Sequence, residues 1–360
     1  MTLSTRARAQ AVALTTTGTL LLASCSLSGG DSSEASGVDG GNTPTEVVLI
    51  THESFTLPEE LTEKFEADTG LRLTVRAAGD AGTLTNKLVL TKDSPTGDVA
   101  FGIDNTFASR AVDEGVFAPY APTLPEGAAD FALTGDGADV LAPVDAAHVC
   151  VNIDDTWFAE EGVPAPATLA DLAKPAYRDL FVIPGATTSS PGMAFLLATI
   201  AEYGDDWPDY WTDLMANGAK LTDGWSDAYQ VDFTQGGGEG DRPIVVSYDS
   251  SPAFTVDGAG GTTTSALLDT CFRQVEYAGV LAGAENPEGA EQVVDWLLSD
   301  EVQAALPDSM YVFPVSSAVE LPADWASFAT QPETPYDVDP AEISENRDDW
   351  LREWSDVTSR

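Results

Sequence analysis

The chain has 360 residues and a formal net charge of −43, from 59 acidic and 16 basic side chains. Hydrophobic residues make up 43% of it and eight are tryptophans, which is typical of a globular protein with a large core. Such a surface repels phosphate backbones and anionic lipid headgroups, which argues against nucleic acid or acidic headgroups as partners, and it attracts cations. Because the charge is spread along the whole chain, adaptation to salt or solubility is the more general explanation.

The first 24 residues have the pattern of a secretory signal. Two arginines precede a mostly apolar run from Ala11 to Ala23, which is shorter than the roughly 20 residues of a membrane span. The stretch from Leu22 to Cys25, LASC, looks like the bacterial lipoprotein box, in which the chain is cut before a cysteine that then carries a lipid. We predict a signal peptide at 1–24 and lipidation of Cys25; a plain signal peptide with an incidental cysteine is the alternative.

Residues 25–45 are rich in glycine and serine and contain no aromatic residue, as in a flexible tether. A lipid, a tether and a folded body predict an extracytoplasmic protein, anchored to the outer face of the cell membrane as a lipoprotein. The folded part, from about residue 46, is long enough for two lobes, because single cores stop growing at roughly 250 to 300 residues.

Segments of two kinds alternate along the folded part. The expected strands are VVLIT (47–51), LRLTVR (71–76), DVAFGID (98–104), CVNID (150–154), LFVIP (180–184) and PIVVSY (243–248). The expected helices are LPEELTEKFEADTG (57–70), TLTNKLVL (83–90), GMAFLLATIAEYG (192–204) and PEGAEQVVDWLLSDEVQAAL (287–306). This succession favours an α/β fold with parallel sheets.

The segments that follow the strands are polar, small and aromatic. They are HESF (52–55), AAGDAG (77–82), DNT (104–106), GATTSSPG (185–192), and Asp249 with the SSPAF that follows it (250–254). In open α/β sheets, ligands bind beyond the carboxyl ends of the strands. None of these segments pairs a nucleophile with a base, so they favour a binding cleft over an active site.

Three of the loops have features suited to binding. Thr187 to Gly192 leads into a helix with free N–H groups, which suits an anion or polar group, although by itself the loop is more typical of an ordinary capped helix. Tyr248 to Phe254 combines two rings with a carboxylate, as a cation–π site requires. Trp225 stands on the polar turn LTDGWSDAYQ, either to face a ligand or to close a lobe as a core residue.

The cysteines and histidines limit the covalent and metal chemistry. With Cys25 assigned to lipid, Cys150 and Cys271 are left as a possible pair, and an extracytoplasmic setting permits a disulfide; two buried free thiols are the alternative. His52 and His148 are the two histidines of the chain, and no cluster has zinc-ligand spacing, so no metal site is expected.

The order of these motifs resembles that of a known family. The markers are HESF (52–55), GIDN (102–105), SSPG (189–192), GWSDAY (224–229), SYD (247–249) continued by SSPAF (250–254), and YVFPV (311–315). With them, the chain is similar from about Val47 to its C-terminal helix to the thiamine-binding periplasmic proteins of bacterial ABC importers. Those proteins are a branch of the extracellular solute-binding proteins, which also include ferric-ion and polyamine binders.

The resemblance implies a two-lobed, periplasmic-binding-protein-like (type II) α/β fold with the ligand cleft between the lobes. One lobe is expected to comprise 46–144 and 276–307, and the other 145–275 and 308–360. The expected function is a receptor that is not an enzyme, needs no cofactor, acts as a monomer and hands thiamine to a membrane permease.

The resemblance also implies the residues of the site. The rings expected around the ligand are His52, Trp225, Phe254 and Tyr311. A small acidic loop of the family is matched by Asp80 and Ala81. The expected hydrogen-bonding positions are Ser189, Ser190, Tyr248, Asp249, Ser250 and Ser251. The family pattern has tyrosine at 52 and 254, tryptophan at 311 and a neutral hydroxyl residue at 249. Because Asp249 adds a negative charge, we expect free thiamine to bind more tightly than its phosphate esters.

Two other functions remain open from the sequence. A polyamine or ferric-ion receptor of the same clan shares the fold, and the acids and rings suit a polyamine. An extracellular hydrolase would need two carboxyl groups of unequal pKa in one groove. The chain has no G-x-x-x-x-G-K-[ST] motif, so ATP hydrolysis is not expected of it.

Overall fold

The computed structural model describes residues 45–359, apart from the side chain of Asp324. The predicted signal peptide, Cys25 and the predicted tether up to residue 44 lie outside the described residues. Within the described range, no helix combines the length and apolar character needed to cross a lipid bilayer.

One mixed β-sheet of nine strands organises the described part of the chain. The strands are β1 (Glu46–Thr51), β2 (Arg72–Ala77), β3 (Val99–Asp104), β4 (Ala142–Asp154), β5 (Phe181–Pro184), β6 (Lys220–Thr222), β7 (Ile244–Tyr248), β8 (Thr264–Val280) and β9 (Phe313–Pro314). Their order is β2-β1-β3-β8-β4-β7-β5-β6, and β9 pairs with β4.

Two parallel parts of the sheet are joined by two long antiparallel strands. At one end β1 pairs in parallel with β2 and β3, and at the other β5 pairs in parallel with β6 and β7. Between them, β8 runs antiparallel to β3 and β4, and β4 runs antiparallel to β7. The sequence predicts parallel pairing, so the antiparallel centre is a correction, and the fold is two α/β lobes connected through β4 and β8.

Helices cover the faces of the sheet. They are α1 (Glu59–Thr69), α2 (Ala81–Leu90), α3 (Ala108–Asp113), α4 (Asp155–Glu161), α5 (Leu169–Leu172), α6 (Ser190–Tyr203), α7 (Trp207–Ala216), α8 (Ser251–Phe254), α9 (Pro287–Leu297), α10 (Asp300–Met310), α11 (Ala323–Phe328) and α12 (Pro340–Thr358). The apolar run predicted at 287–306 is divided into α9 and α10 because the Ser299 side chain accepts a hydrogen bond from Val302 N and starts a new helix.

Side-chain caps fix the starts of the two helices nearest the later site. Asp80 caps α2, and its Oδ1 accepts a hydrogen bond from Ala81 N at 2.6 Å. Ser189 caps α6, and its Oγ accepts from Gly192 N at 3.5 Å. A cap satisfies an N–H group that has no partner within the helix, so each cap sets where the helix begins relative to its preceding strand.

Two large hydrophobic clusters lie against the sheet. One lies between β1, β3 and helices α1, α9 and α10, and includes Phe65, Val293 and Leu306. The other extends from α2 to α6, α7 and α12, and includes Phe195 and Trp211. Because these clusters hold the helices in place, the loops that follow the strands are presented from a rigid framework.

A disulfide joins the two long central strands. Cys150 of β4 and Cys271 of β8 are bonded, with their Cα atoms 4.1 Å apart and a sequence separation of 121. Both residues are buried. The bond therefore ties together the strands that connect the two parallel parts of the sheet.

Candidate ligand-binding cleft

A cavity of about 200 Å³ opens where β1, β6 and β7 end. Its wall consists of His52, Ser54, Thr56, Asp80, Ser190, Trp225, Tyr229, Gln230, Tyr248, Ser250, Ser251, Phe254, Glu276, Ser309, Met310, Tyr311 and Val312.

Trp225 forms an aromatic shelf with Tyr229 on one side of this cleft. Their ring centroids are 5.0 Å apart and the planes are inclined by only 13°, so the rings are stacked. The indole Nε1 donates to Ser247 Oγ at 2.9 Å, and Trp225 N donates to Asp80 Oδ2 at 2.8 Å. The indole is therefore held in one orientation while it stays half-buried at the cavity wall.

Phe254 and Tyr311 form a second aromatic pair. Their centroids are 5.0 Å apart in an edge-to-face arrangement, and Phe254 keeps 47% of its surface exposed. Tyr311 has a φ of 55°, a left-handed conformation that is uncommon for a residue with a side chain. Ser250 Oγ donates to Tyr311 O at 2.5 Å and helps to hold this backbone in place. Strained positions of this kind cluster at ligand sites.

The two aromatic pairs meet where the Tyr229 and Phe254 rings lie edge to face at 6.1 Å, and hydroxyl groups line the wall beside them. Ser251 Oγ accepts a hydrogen bond from Tyr248 N at 3.1 Å and lies 2.8 Å from Ser247 Oγ. The serine hydroxyls thus connect the end of β7 to the Trp225 indole. Ser190 contributes the start of α6 to the same wall.

Ionisable side chains that follow β1 and belong to β8 meet at the cleft wall. His52 Nε2 lies 3.5 Å from Glu276 Oε2, and both residues are buried. Burial opposes a charge on His52, but the carboxylate of Glu276, aided by Asp80, outweighs burial and raises the pKa of the imidazole above its ordinary value. The cleft wall thus combines aromatic rings with carboxylates.

Two buried aspartates lie close enough to Glu276 to be affected by its charge. Burial, followed by the charge of Glu276 and a hydrogen bond to it, raises the pKa of Asp145 well above its ordinary value. Burial also raises the pKa of Asp104 to about 7, although the Thr106 hydroxyl lies within hydrogen-bond distance of both its oxygens. Within residues 45–359, no group of three or more His, Cys, Asp or Glu side chains is placed to hold a metal ion.

The comparisons with known proteins agree with this geometry. Residues 94–330 match the family model described as bacterial extracellular solute-binding protein. The chain belongs to this family. This solute-binding protein is 28% identical over 323 residues to the thiamine-binding periplasmic protein of Escherichia coli K12, covering 87% of this chain and 94% of that protein. It is 27% identical to the protein of the same name from Brucella melitensis, covering 87% and 92%.

Solved structures match the same range. A periplasmic thiamin binding protein superimposes with a TM-score of 0.76 at 28% identity, covering 89% of this chain and 98% of that one. Iron-bound HitA from Pseudomonas aeruginosa superimposes with a TM-score of 0.68 at 19% identity, covering 87% and 99%. At that identity HitA supports the fold alone. The two-lobed fold of periplasmic binding proteins is thus shown for this solute-binding protein.

Nine of the twelve positions expected in the ligand site of this solute-binding protein line the cavity. They are His52, Asp80, Ser190, Trp225, Tyr248, Ser250, Ser251, Phe254 and Tyr311. The other three, Ala81, Ser189 and Asp249, are buried beside it. Ala81 is the first residue of α2, and Ser189 uses its hydroxyl as a helix cap.

Asp249 faces His148 and does not line the cleft. Its Oδ1 accepts from His148 N at 3.1 Å, and its Oδ2 lies 2.8 Å from His148 Nδ1. The side chain is fully buried. Contrary to the prediction from the sequence, Asp249 therefore does not bring its negative charge to the cleft wall. The carboxylates on that wall are those of Glu276 and Asp80.

Several cleft residues of this solute-binding protein were not predicted from the sequence. The two most informative are Tyr229, which stacks under Trp225, and Glu276, which lies within β8. Tyr229 stands four residues after Trp225, a spacing that brings side chains together on one face of a helical turn. Glu276 stands in the run QVEYAGV, where a single charge among apolar residues is a recognisable signal of function.

Proposed function

We propose that this solute-binding protein is an extracytoplasmic receptor that binds thiamine and delivers it to an ABC importer. The observation that carries the proposal is the Trp225–Tyr229 stack at the wall of the cleft. Relatives that are named for thiamine binding and align over most of the chain support it.

The chemistry of the cleft suits the two rings of thiamine. The flat aminopyrimidine stacks on an aromatic shelf, and the thiazolium is a cation that is attracted by ring faces and carboxylates. A cation–π contact contributes about 0.5 to 2 kcal/mol, depending on how fully the pair is desolvated. We assign the stacking surface to Trp225, and we assign to Phe254 and Tyr311 the continuation of the aromatic wall beyond Tyr229.

We also propose that free thiamine binds more tightly than its diphosphate. The carboxylates of Glu276 and Asp80 at the cleft wall support this preference, because like charges repel in a partly desolvated cavity. Tighter binding of the diphosphate in calorimetry would overturn it.

The lobe boundaries form part of the proposal. One lobe comprises 46–144 and 276–307, and the other 145–275 and 308–360. The chain then crosses between the lobes within β4, within β8 and within α10. The register shift in β4 between Pro143 and Asp145 supports the first crossing, and Pro307 inside α10 supports the third.

Attachment and transport follow from the same proposal. A lipid on Cys25 would hold the protein at the outer face of the cell membrane, and the tether would let the folded part reach a permease. The receptor would act as a monomer without catalysing a reaction. Mass spectrometry of the membrane-extracted protein would detect the lipid on the N-terminal cysteine.

Isothermal titration of the purified protein tests the ligand. We expect one-to-one binding of thiamine, weakened by about tenfold or more in Trp225→Ala because the stacking surface is lost. Trp350→Phe, which alters a tryptophan of α12 away from the cleft, should bind like the unaltered protein. A response to putrescine without one to thiamine would assign the receptor to polyamines instead.

A further inference from the structure

Glu276 is a buried acidic residue on the wall of the cleft. It lies within β8, lines the cavity and is 6% exposed. Within the described range, its ion-pair partner is His52, and no lysine or arginine lies at ion-pair distance from it. A buried carboxylate without a fixed cation is unfavourable unless other groups or a ligand compensate it.

Asp145 lies directly opposite Glu276 on the neighbouring strand. The two are partners in the β4–β8 register, and Asp145 is 1% exposed. Burial, followed by the nearby charge of Glu276, raises the pKa of Asp145 well above its ordinary value. Burial and the neighbouring carboxylate thus favour the neutral form of Asp145, which lies beside Glu276 at the cavity wall.

His52 supports the same carboxylate from the end of β1. Ser54 N donates to His52 Nδ1 at 3.2 Å, which leaves Nε2 on the side of Glu276. Nε2 lies 3.5 Å from Glu276 Oε2, at ion-pair distance, and makes no hydrogen bond within the described residues. The imidazole thus contacts this carboxylate from the end of β1, while Asp145 of β4 lies on its other side.

The other carboxylate of the cleft wall is already engaged. Asp80 Oδ1 accepts from Ala81 N at 2.6 Å and Asp80 Oδ2 accepts from Trp225 N at 2.8 Å. Both its oxygens therefore act in positioning α2 and the Trp225 turn. In the part of the chain that the structure describes, the Glu276 carboxylate has no such backbone partners, so its charge is available to a ligand.

We propose that Glu276 is the counter-ion of the ligand's positively charged ring and the residue that makes this cleft select a cation over a neutral molecule of the same shape. Asp145 and His52 are positioning residues that hold the carboxylate towards the cleft. The inference rests on the proposed function for the choice of ligand. It extends that function by naming the residue that discriminates between a positively charged ligand and a neutral one.

Calorimetry with a matched pair of ligands tests this inference on the full chain. The pair is thiamine and a neutral isostere in which a thiophene ring replaces the thiazolium. The unaltered protein should prefer thiamine by about tenfold or more, since a charge-assisted contact is lost with the isostere. Glu276→Gln should remove most of that preference by weakening thiamine binding while leaving the isostere within about threefold.

Two further variants make the result specific to position 276. Glu53→Gln removes an exposed acid next to His52 and should retain the preference, because a solvated charge is screened. Glu276→Asp retains the charge and should keep part of the preference. An equal loss of both ligands in Glu276→Gln, or no loss of either, would overturn the inference.

Calorimetry on the unaltered protein distinguishes a failure of this inference from a failure of the proposed function. An unaltered protein that does not bind thiamine rejects the proposed ligand. An unaltered protein that binds thiamine and the neutral isostere equally well rejects the role of Glu276 alone, without any variant that has to fold.

Discussion

At the residue scale, Trp225 shows how a large ring is held on a polar turn. Ser247 binds its indole N–H, Asp80 binds its backbone N–H, and Tyr229 supports one face. The neighbouring acids and glycine of GWSDAY leave the ring at the cavity wall instead of folding it into a core. The polar sequence around the ring is thus the means of orienting it.

Asp104 leads to a prediction on pH and stability. Its pKa rises from the ordinary value of 3.8 to about 7 in the folded protein, first because of burial. The folded state therefore binds a proton that the unfolded state has released, and this group's contribution to stability falls as the pH rises from about 4 to about 7. Above about pH 7, the full free-energy cost of burying the ionised Asp104 carboxylate is present.

We expect Asp104→Asn to relieve the penalty. The gain in unfolding free energy of the variant over the unaltered protein should be larger at pH 8 than at pH 5. The difference between the two gains should be on the order of a few kcal/mol, measured by urea unfolding at both pH values. Asp136→Asn controls for the loss of an exposed acid. The same difference between variant and unaltered protein at both pH values would contradict the assignment.

At the element scale, β4 and β8 determine how the molecule is connected. They are 13 and 17 residues long, and their pairing places Asp145 beside Glu276 and joins Cys150 to Cys271. The sequence predicts only the last part of β4 and none of β8. Much of β8 is buried on both faces, so it lacks the two-residue alternation that identifies a strand.

The disulfide between these strands leads to a stability prediction. Because it closes a long loop, replacing both cysteines by alanine should lower the free energy of unfolding by about 2 to 5 kcal/mol. Urea unfolding with and without reductant measures the effect. The unaltered protein should respond to reductant and the double variant should not; equal midpoints for the unaltered protein in both conditions would show that the bond adds no stability.

At the scale of the whole molecule, the cleft is bridged by contacts between parts of the chain that the proposal assigns to different lobes. Thr83 N donates to Thr188 O at 3.1 Å, and Ser54 Oγ lies 3.2 Å from Ser226 Oγ. The bond from Trp225 N to Asp80 is a third contact of this kind. With the lobe boundaries proposed above, the structure therefore corresponds to a closed cleft.

Gly82 permits this closure. A Cβ at this position would lie 2.8 Å from the carbonyl carbon of Thr188 and 2.8 Å from the Phe107 ring. Gly82→Ala should hold the lobes apart and weaken thiamine binding by about tenfold or more, because closure is coupled to binding.

Small-angle scattering with and without thiamine measures this effect. The unaltered protein should contract on binding and Gly82→Ala should contract less, while circular dichroism checks that the variant is folded. Thr83→Ala keeps the backbone bond to Thr188 and serves as the neighbouring control. Full contraction of Gly82→Ala would contradict the role of this contact.

The sequence by itself determined most strands and helices around the cleft, because periodicity and caps are local properties. The family resemblance carried by its motifs also indicated most of the rings and hydroxyls that line the cleft. The tertiary structure alone decided that Asp249 faces His148 and that Glu276 lies beside Asp145 and His52. These pairings depend on strand register between segments far apart in the chain, which no local pattern specifies.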